Sequence, residues 1–355
     1  MSLLLNGRFL TQEVTGVQRV AREILTAADV LAAEGGWPPT RLLAPPGAAL
    51  PSCRAIAAAT AGPFSGQAWE QLTLPRHRRG AWLLSLGNTA PLAAGARQTV
   101  LIHDAGAFDT PDSYATSFRL WYRMLHRTLP RLGARLVTVS SFSRGRLAAA
   151  LGVEASTIAV IPEGAEHILR DAPDRTVLDR NGLAARRFVL AVGTGAAHKN
   201  LGLLAAARER LAARGIALAV AGRADPAVFR TAGGLAGAVS LGRVSDGELR
   251  ALYGAAAALL FPSRYEGFGL PPIEAMACGC PVIAGAAGAV PETVGDAALL
   301  FAPTDAAALC AALDRLFDEH GLADRLRAAG AARAARFTWR AAAEALRETL
   351  PVAWA

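Results

Sequence analysis

The residues best suited to chemistry fall in one stretch, 261–284, which reads Phe261-Pro-Ser-Arg-Tyr-Glu-Gly-Phe-Gly-Leu-Pro-Pro-Ile-Glu-Ala-Met-Ala-Cys-Gly-Cys-Pro-Val-Ile-Ala. A buried strand is expected to end at Phe261, after which Gly267 and Gly269 let backbone approach a ligand closely. Pro271 and Pro272 lack N–H groups and have φ preset for the first turn of a helix. That helix should run to Cys278 and stop at Gly279. The N–H groups of Phe268, Gly269 and Leu270 would then project from a helix N-terminus, a natural place for phosphate. Glu266 stands just before this anion site and Glu274 just inside the helix. Carboxylates beside a phosphate would repel it, so both are expected to face neutral sugar or ribose hydroxyls. Taken alone, Glu274 has a simpler explanation, complementing the positive end of the helix.

Two further residues stand out by type. Lys199 is the only lysine among 37 basic residues, the rest being arginine. An ammonium differs from a guanidinium in size and hydration, so a tight cation site can require one and reject the other. His103 closes an apolar run and is followed by Asp104 and Gly106; a single histidine at a strand end is by itself a structural position. Gly16, in the loop after the first strand, reads either as an ordinary turn glycine or as a point of close approach. Ser141 and Ser143 read as helix caps.

These residues need a scaffold, and the chain supplies alternating short apolar runs and amphipathic helices, the pattern of α/β folds with parallel sheets. At 355 residues the chain exceeds one ordinary core and suits two. Strands are expected at 3–6, 41–44, 82–84, 99–103, 136–140 and 158–161, with helices at 17–33, 114–132 and 141–151. Between Glu166 and Arg187 the periodicity fades, and a second series follows. Its strands are expected at 188–192, 217–221, 239–241, 257–261 and 281–283, and its helices at 200–214, 305–319, 322–337 and 338–350. Two doubly wound units imply a cleft where strand C-termini and helix N-termini converge on ligand.

Charge and composition narrow the function classes. The net charge is +8, and residues 1–170 hold 17 Arg against 11 Asp and Glu. No basic run is interleaved with aromatics, which argues against a nucleic-acid partner. Arg76, Arg78 and Arg79, near Trp69 and Trp82, read as a solvated face or as a contact for a membrane surface or a lipid-linked phosphate. No apolar stretch reaches the ~20 residues needed to span a bilayer, and the start Met1-Ser-Leu-Leu-Leu-Asn is too short an apolar run for a signal peptide. A cytoplasmic protein is therefore expected, with peripheral contact at the inner membrane face through the basic first domain. The four cysteines lack zinc-ligand spacing and read as small buried hydrophobes.

The Glu266…Glu274 pair, an E-x7-E motif within Ser263-Arg-Tyr-Glu-Gly-Phe-Gly-Leu-Pro-Pro-Ile-Glu, resembles the retaining glycosyltransferases of group 1 (family 4), which have the GT-B fold. The resemblance extends to Gly193-Thr-Gly…His198-Lys199-Asn200-Leu201, to Gly242-Arg-Val-Ser-Asp-Gly-Glu-Leu and to Gly288-Ala-Val-Pro-Glu292…Gly295-Asp296. In the first half, Thr15-Gly16-Val17-Gln18-Arg19, His103-Asp104 and Val139-Ser-Ser-Phe-Ser-Arg144 also fit. The resemblance implies two Rossmann-like doubly wound α/β domains facing across a cleft, with a C-terminal helix crossing back to the first. The expected boundaries are 1–168 for the acceptor side, 169–336 for the donor side and 337–355 for the crossover helix.

By the same resemblance, Glu274 would hold a nucleotide ribose and Glu266 would touch the transferred sugar. Backbone of Gly267, Phe268, Gly269 and Leu270 would meet sugar hydroxyls and phosphate, and Lys199 would offset the departing diphosphate charge. His103 would lie against the donor sugar, and Gly16 would admit close approach of the two halves. Gly193 and Thr194 occupy the loop where many members carry an arginine; Arg223, helped by His198, is the candidate replacement. No metal or cofactor is implied, and no Asp-x-Asp triplet occurs. The implied activity is retaining hexosyl transfer from a nucleotide-sugar donor, GDP-mannose, to a saccharide or lipid-linked acceptor hydroxyl in polysaccharide assembly. UDP-hexoses, dTDP-rhamnose, an epimerase or phosphorylase on the same architecture, and a non-catalytic nucleotide-sugar-binding protein are the alternatives.

Overall fold

The computed structural model describes residues 2–222 and 237–351. The chain divides into two compact units, Met1–Gly164 with Thr338–Ala355, and Ala165–Phe337. The first division falls at Gly164/Ala165 rather than at 168/169. Ala165 N–H donates to Phe337 C=O at 3.2 Å and His167 reaches Glu274 at 2.9 Å, which ties this segment to the second unit. Phe337 belongs there too, its ring edge-on to Phe268 with centroids 5.4 Å apart.

Among the described residues the first unit is built on seven strands: β1 (Leu3–Asn6), β2 (Thr40–Ala44), β3 (Ala57–Thr60), β4 (Trp82–Ser85), β5 (Gln98–Leu101), β6 (Arg135–Thr138) and β7 (Ile158–Val160). They form one sheet in the order β3-β2-β1-β4-β5-β6-β7, and every pairing is parallel. The chain steps outward from β1 to β3 and returns on the other side of β1 at β4, which makes the β1/β4 boundary a topological switch point. Leu3, Leu4 and Leu5 of β1 are fully buried, as a central parallel strand covered on both faces requires. Strand β3 was not expected. Its sequence Ala-Ala-Ala-Thr is largely exposed at the sheet edge and offers almost no strand preference to read.

Helix Gly16–Ala33 buries Val20, Ile24, Leu25 and Leu31. Asp29 on it accepts N–H bonds from Arg54, Ala55 and Ile56 at 2.6–2.9 Å. Burial pushes the Asp29 carboxyl up, but these three donors outweigh it and hold the group below its usual range. The last helix, Trp339–Thr349, packs on Gly16–Ala33, and Arg340 pairs with Glu34 at 2.7 Å. Helix Ser141–Leu151 is capped by Ser140, whose hydroxyl accepts from Ser143 N–H at 3.0 Å, so neither Ser141 nor Ser143 is the cap.

The second unit repeats the logic with six strands among the described residues: β8 (Phe188–Val192), β9 (Ala217–Ala221), β10 (Val239–Gly242), β11 (Ala258–Phe261), β12 (Val282–Gly285) and β13 (Leu299–Phe301). Their order is β10-β9-β8-β11-β12-β13, all parallel, so the switch point lies between β8 and β11. Val189, Val220, Leu260 and Ile283 pack with Leu204, Leu211, Leu309 and Leu313 into one core. The helix expected over 200–214 begins late, at Leu204, after the short turns Ala197–Lys199 and Leu201–Leu203. Asn200 causes the delay. It sits in the left-handed region at φ 55°, and its side chain bonds two backbone carbonyls outside any helix. Strand β13 has three residues, too few to show a period.

Candidate functional site

At the switch point of the second unit, the loops leaving β8 and β11 are stitched together. Asn200 Nδ2 donates to Pro262 C=O at 3.0 Å and to Pro303 C=O at 2.8 Å. Arg264 N–H donates to His198 C=O at 2.8 Å. These bonds bring two sequence-predicted residues into contact: Lys199 Nζ donates to Glu266 Oε1 at 2.7 Å. The ammonium also lies 5.8 Å from the centroid of the Phe261 ring. Both side chains are partly open, 20% and 12% exposed, so the pair is accessible rather than sealed.

Two glycine contacts fix this geometry. A Cβ on Gly288 would stand 2.6 Å from Glu266 N, and Ala289 N–H donates to Glu266 C=O at 3.0 Å. Any side chain at 288 would therefore push Glu266 off its position. A Cβ on Gly222, whose φ is +123°, would lie 2.0 Å from Gly193 C=O, so the β8 and β9 loops can cross this closely only with glycine there. Thr194 is exposed in the β8 loop, and Gly193 and His198 are half-buried. Arg223 lies outside the described residues.

Helix Leu270–Ala277 starts from Gly269 in the left-handed conformation at φ 99°, with Pro271 and Pro272 in its first turn. Gly267, Phe268, Gly269 and Leu270 are all buried, and Thr293 Oγ1 donates to Phe268 C=O at 2.6 Å. Glu274 is buried as well, and both of its oxygens meet internal donors. His167 Nε2 is 2.9 Å from Oε1, and Tyr253 OH donates to Oε2 at 3.2 Å. Tyr253 is fully buried; burial, then the Glu274 charge, pushes its hydroxyl pKa well up. The same two causes push the Cys278 thiol up to about 12, and burial takes Cys280 to about 12, so both stay protonated and inert. A groove of about 300 Å3 near Arg250, Ala277 and Cys278 lies at the far end of this helix and includes none of the predicted site residues.

In the first unit, His103 follows β5 and is buried. Its N–H donates to Asn88 Oδ1 at 2.8 Å, its Nε2 lies 3.2 Å from Leu86 C=O and its Nδ1 lies 3.3 Å from Glu163 Oε1. The imidazole is thus fixed from both sides. Gly16 opens helix Gly16–Ala33 and is exposed; a Cβ there would meet nothing within 4 Å. Trp69 and Trp82 are buried, and their indole N–H groups donate to Ala61 C=O at 2.7 Å and Thr99 Oγ1 at 3.0 Å. Neither ring is free to enter a membrane beside Arg76, Arg78 and Arg79. Arg76 and Arg79 are exposed and Arg78 is half-buried, in keeping with the solvated face.

Sequence reasoning missed two buried partners and one buried network. Glu163 faces His103 from 60 residues away and His167 faces Glu274 from 107, separations at which no spacing rule operates. At the β1/β4 switch point, Arg8 Nε donates to Glu70 Oε1 at 3.1 Å and Asn6 Nδ2 donates to the same oxygen at 2.6 Å. Thr89 completes this network, accepting from Arg8 at 2.6 Å and donating to Glu70 at 3.0 Å. The only signal for it was a polar Asn6-Gly7-Arg8 step directly after an apolar strand.

Two doubly wound parallel sheets, the second carrying a lysine–carboxylate pair and a glycine turn into a helix at its switch point, define a GT-B-type α/β protein. The family model described as glycosyl transferases group 1 matches residues 186–319, within the second unit. The chain is 33% identical over 258 residues to the O-antigen chain mannosyltransferase B of Escherichia coli, covering 68% of this chain and 67% of that protein. It is 30% identical over 246 residues to the MMP alpha-(1->4)-mannosyltransferase of Mycolicibacterium hassiacum, covering 63% of this chain and 56% of that protein. In fold it is similar to sucrose-phosphate synthase from Thermosynechococcus elongatus, with a TM-score of 0.74, 21% identity and 96% of each chain covered. The chain belongs to the group 1 glycosyltransferases.

Proposed function

We propose that this glycosyltransferase moves mannose from GDP-mannose to a hydroxyl of a lipid-linked saccharide during polysaccharide assembly at the inner membrane face, with retention of anomeric configuration. The observation that carries the reading is the accessible Lys199–Glu266 pair at the second switch point. Mannose is supported by the names of the two relatives, both mannosyltransferases. A donor diphosphate would draw Lys199 away from Glu266 and place its ammonium where negative charge grows as the sugar leaves, the kind of stabilisation with the largest effect on rate. Glu266, released, would accept from sugar hydroxyls.

In this scheme the bond between the anomeric carbon and the diphosphate oxygen breaks, and the acceptor oxygen bonds the same face of that carbon. The acceptor proton passes to the departing phosphate. Glu274, held by His167 and Tyr253, takes the ribose hydroxyls, and the turn from Gly267 to Leu270 takes sugar and phosphate. Gly193, Thr194 and His198 complete the phosphate side; Arg223, and His103 and Gly16 in the first unit, are the further candidate contacts for donor and acceptor. Lys199 supplies the cationic role without a metal.

Thermal stabilisation by a panel of nucleotide sugars tests this reading, because a ligand that binds the native state raises its stability by mass action. GDP-mannose should give the largest rise, about 3 kcal/mol at a hundredfold excess over Kd. A larger rise with a UDP- or dTDP-sugar would reassign the donor, and no rise with any of them would remove the reading. Stabilisation without nucleotide release to any acceptor would favour a binding protein.

A further inference from the structure

Helix Thr116–Arg131 of the first unit has an outer face that does not match a solvated helix. Its inward side carries the buried Leu125, His126 and Leu129. On the opposite side, Leu120, Met124, Arg127 and Arg131 follow at steps of four, three and four residues, which places them on one stripe. Leu120 is 60% exposed and Met124 43%; Arg127 and Arg131 are exposed with them. Leu132, 40% exposed, extends the apolar surface past the helix end. Residues 113–153 contain seven arginines and no acidic residue. Arg135, one of these seven, is exposed just beyond the helix.

Large apolar side chains and arginines sharing one exposed stripe, with acidic residues excluded, match a surface that is apolar below and anionic above. We propose that this stripe is the membrane-docking surface of the chain, seating Leu120 and Met124 at the acyl boundary while Arg127 and Arg131 meet anionic lipid headgroups. The charge complementarity selects the occupant: a second copy of the same face would set these arginines against one another. The proposal moves membrane contact from the Arg76–Trp82 region, where the tryptophans are buried, to a helix whose apolar residues are exposed.

Co-sedimentation of the full chain with phosphatidylcholine vesicles, with and without phosphatidylglycerol, tests it. The chain should pellet with the phosphatidylglycerol vesicles, and added salt should weaken that binding. Leu120→Gln with Met124→Gln should weaken partitioning about tenfold or more. Arg127→Gln with Arg131→Gln should weaken it about fivefold per arginine and flatten the salt dependence. All four side chains are exposed, and only Arg127 also lies over an aromatic ring, that of Phe108 at 5.3 Å, so melting temperatures should fall little, and Leu120→Trp should blue-shift its emission on anionic vesicles. Nucleotide release with a soluble acceptor should stay at the wild-type level, which separates this proposal from the reading of the active site. No pelleting with phosphatidylglycerol vesicles at low salt would overturn it, as would undiminished pelleting of the Leu120/Met124 variant. Loss of self-association in that variant, without vesicle binding in the wild type, would overturn it in favour of a second copy.

Discussion

The two units place a cation–carboxylate pair at the same topological position and treat it in opposite ways. At the β1/β4 switch point Arg8 and Glu70 are 7% and 1% exposed and share a buried network with Asn6 and Thr89. At the β8/β11 switch point Lys199 and Glu266 bond each other but stay open to solvent on one side. A sealed pair has little left to offer a ligand; breaking it mainly exposes an uncompensated buried charge. An open pair costs little to separate, so its members can be redirected to a diphosphate and a sugar. Equivalent places in two similar sheets thus hold a buried pair in one unit and a partly exposed one, proposed above to serve chemistry, in the other.

The largest effect that tests this contrast is on stability. Arg8→Met should destabilise the chain by about 3–5 kcal/mol, because Glu70 is left charged and buried. Lys199→Met should cost less, about 1–2 kcal/mol, because this pair keeps some contact with solvent. Chemical denaturation of both variants measures the difference, and equal losses would erase the distinction between the sites.

A smaller effect concerns pH and the first unit alone. His126 is fully buried, and its pKa falls from 6.5 to about 4 through burial, which outweighs its bond to Asn88 C=O. The unfolded chain therefore binds a proton below pH 6.5 that the native state refuses until about pH 4. Stability from this group is complete at neutral pH and should fall by about 2 kcal/mol between pH 7 and pH 5. His126→Gln should flatten that part of the curve; an unchanged slope would assign the acid sensitivity to other groups.

Much of this was legible in the sequence wherever periodicity or backbone chemistry was local. The strands β8, β9 and β11 are runs of buried apolar residues, and the Gly269-Leu-Pro-Pro step marks a helix start through preset φ and missing donors. The E-x7-E spacing drew attention to Glu266 and Glu274, but their partners were only partly visible. Lys199 stood out as the sole lysine, whereas His167 and Tyr253 come to Glu274 from distant segments through tertiary packing. Strand β3 was lost for the opposite reason: alanine at an exposed edge carries neither strand preference nor alternation. For the Arg76–Trp82 region, sequence proximity of tryptophan and arginine could not say that both rings point inward.

The most direct test of the central claim is the turnover of Lys199→Met, measured as nucleotide release and sugar transfer, beside its melting temperature and donor affinity. If the open pair at the second switch point is the charge-stabilising site, kcat should fall about 10²–10³-fold while the protein stays folded near its wild-type melting temperature. Near-wild-type turnover in a folded Lys199→Met protein would contradict the account.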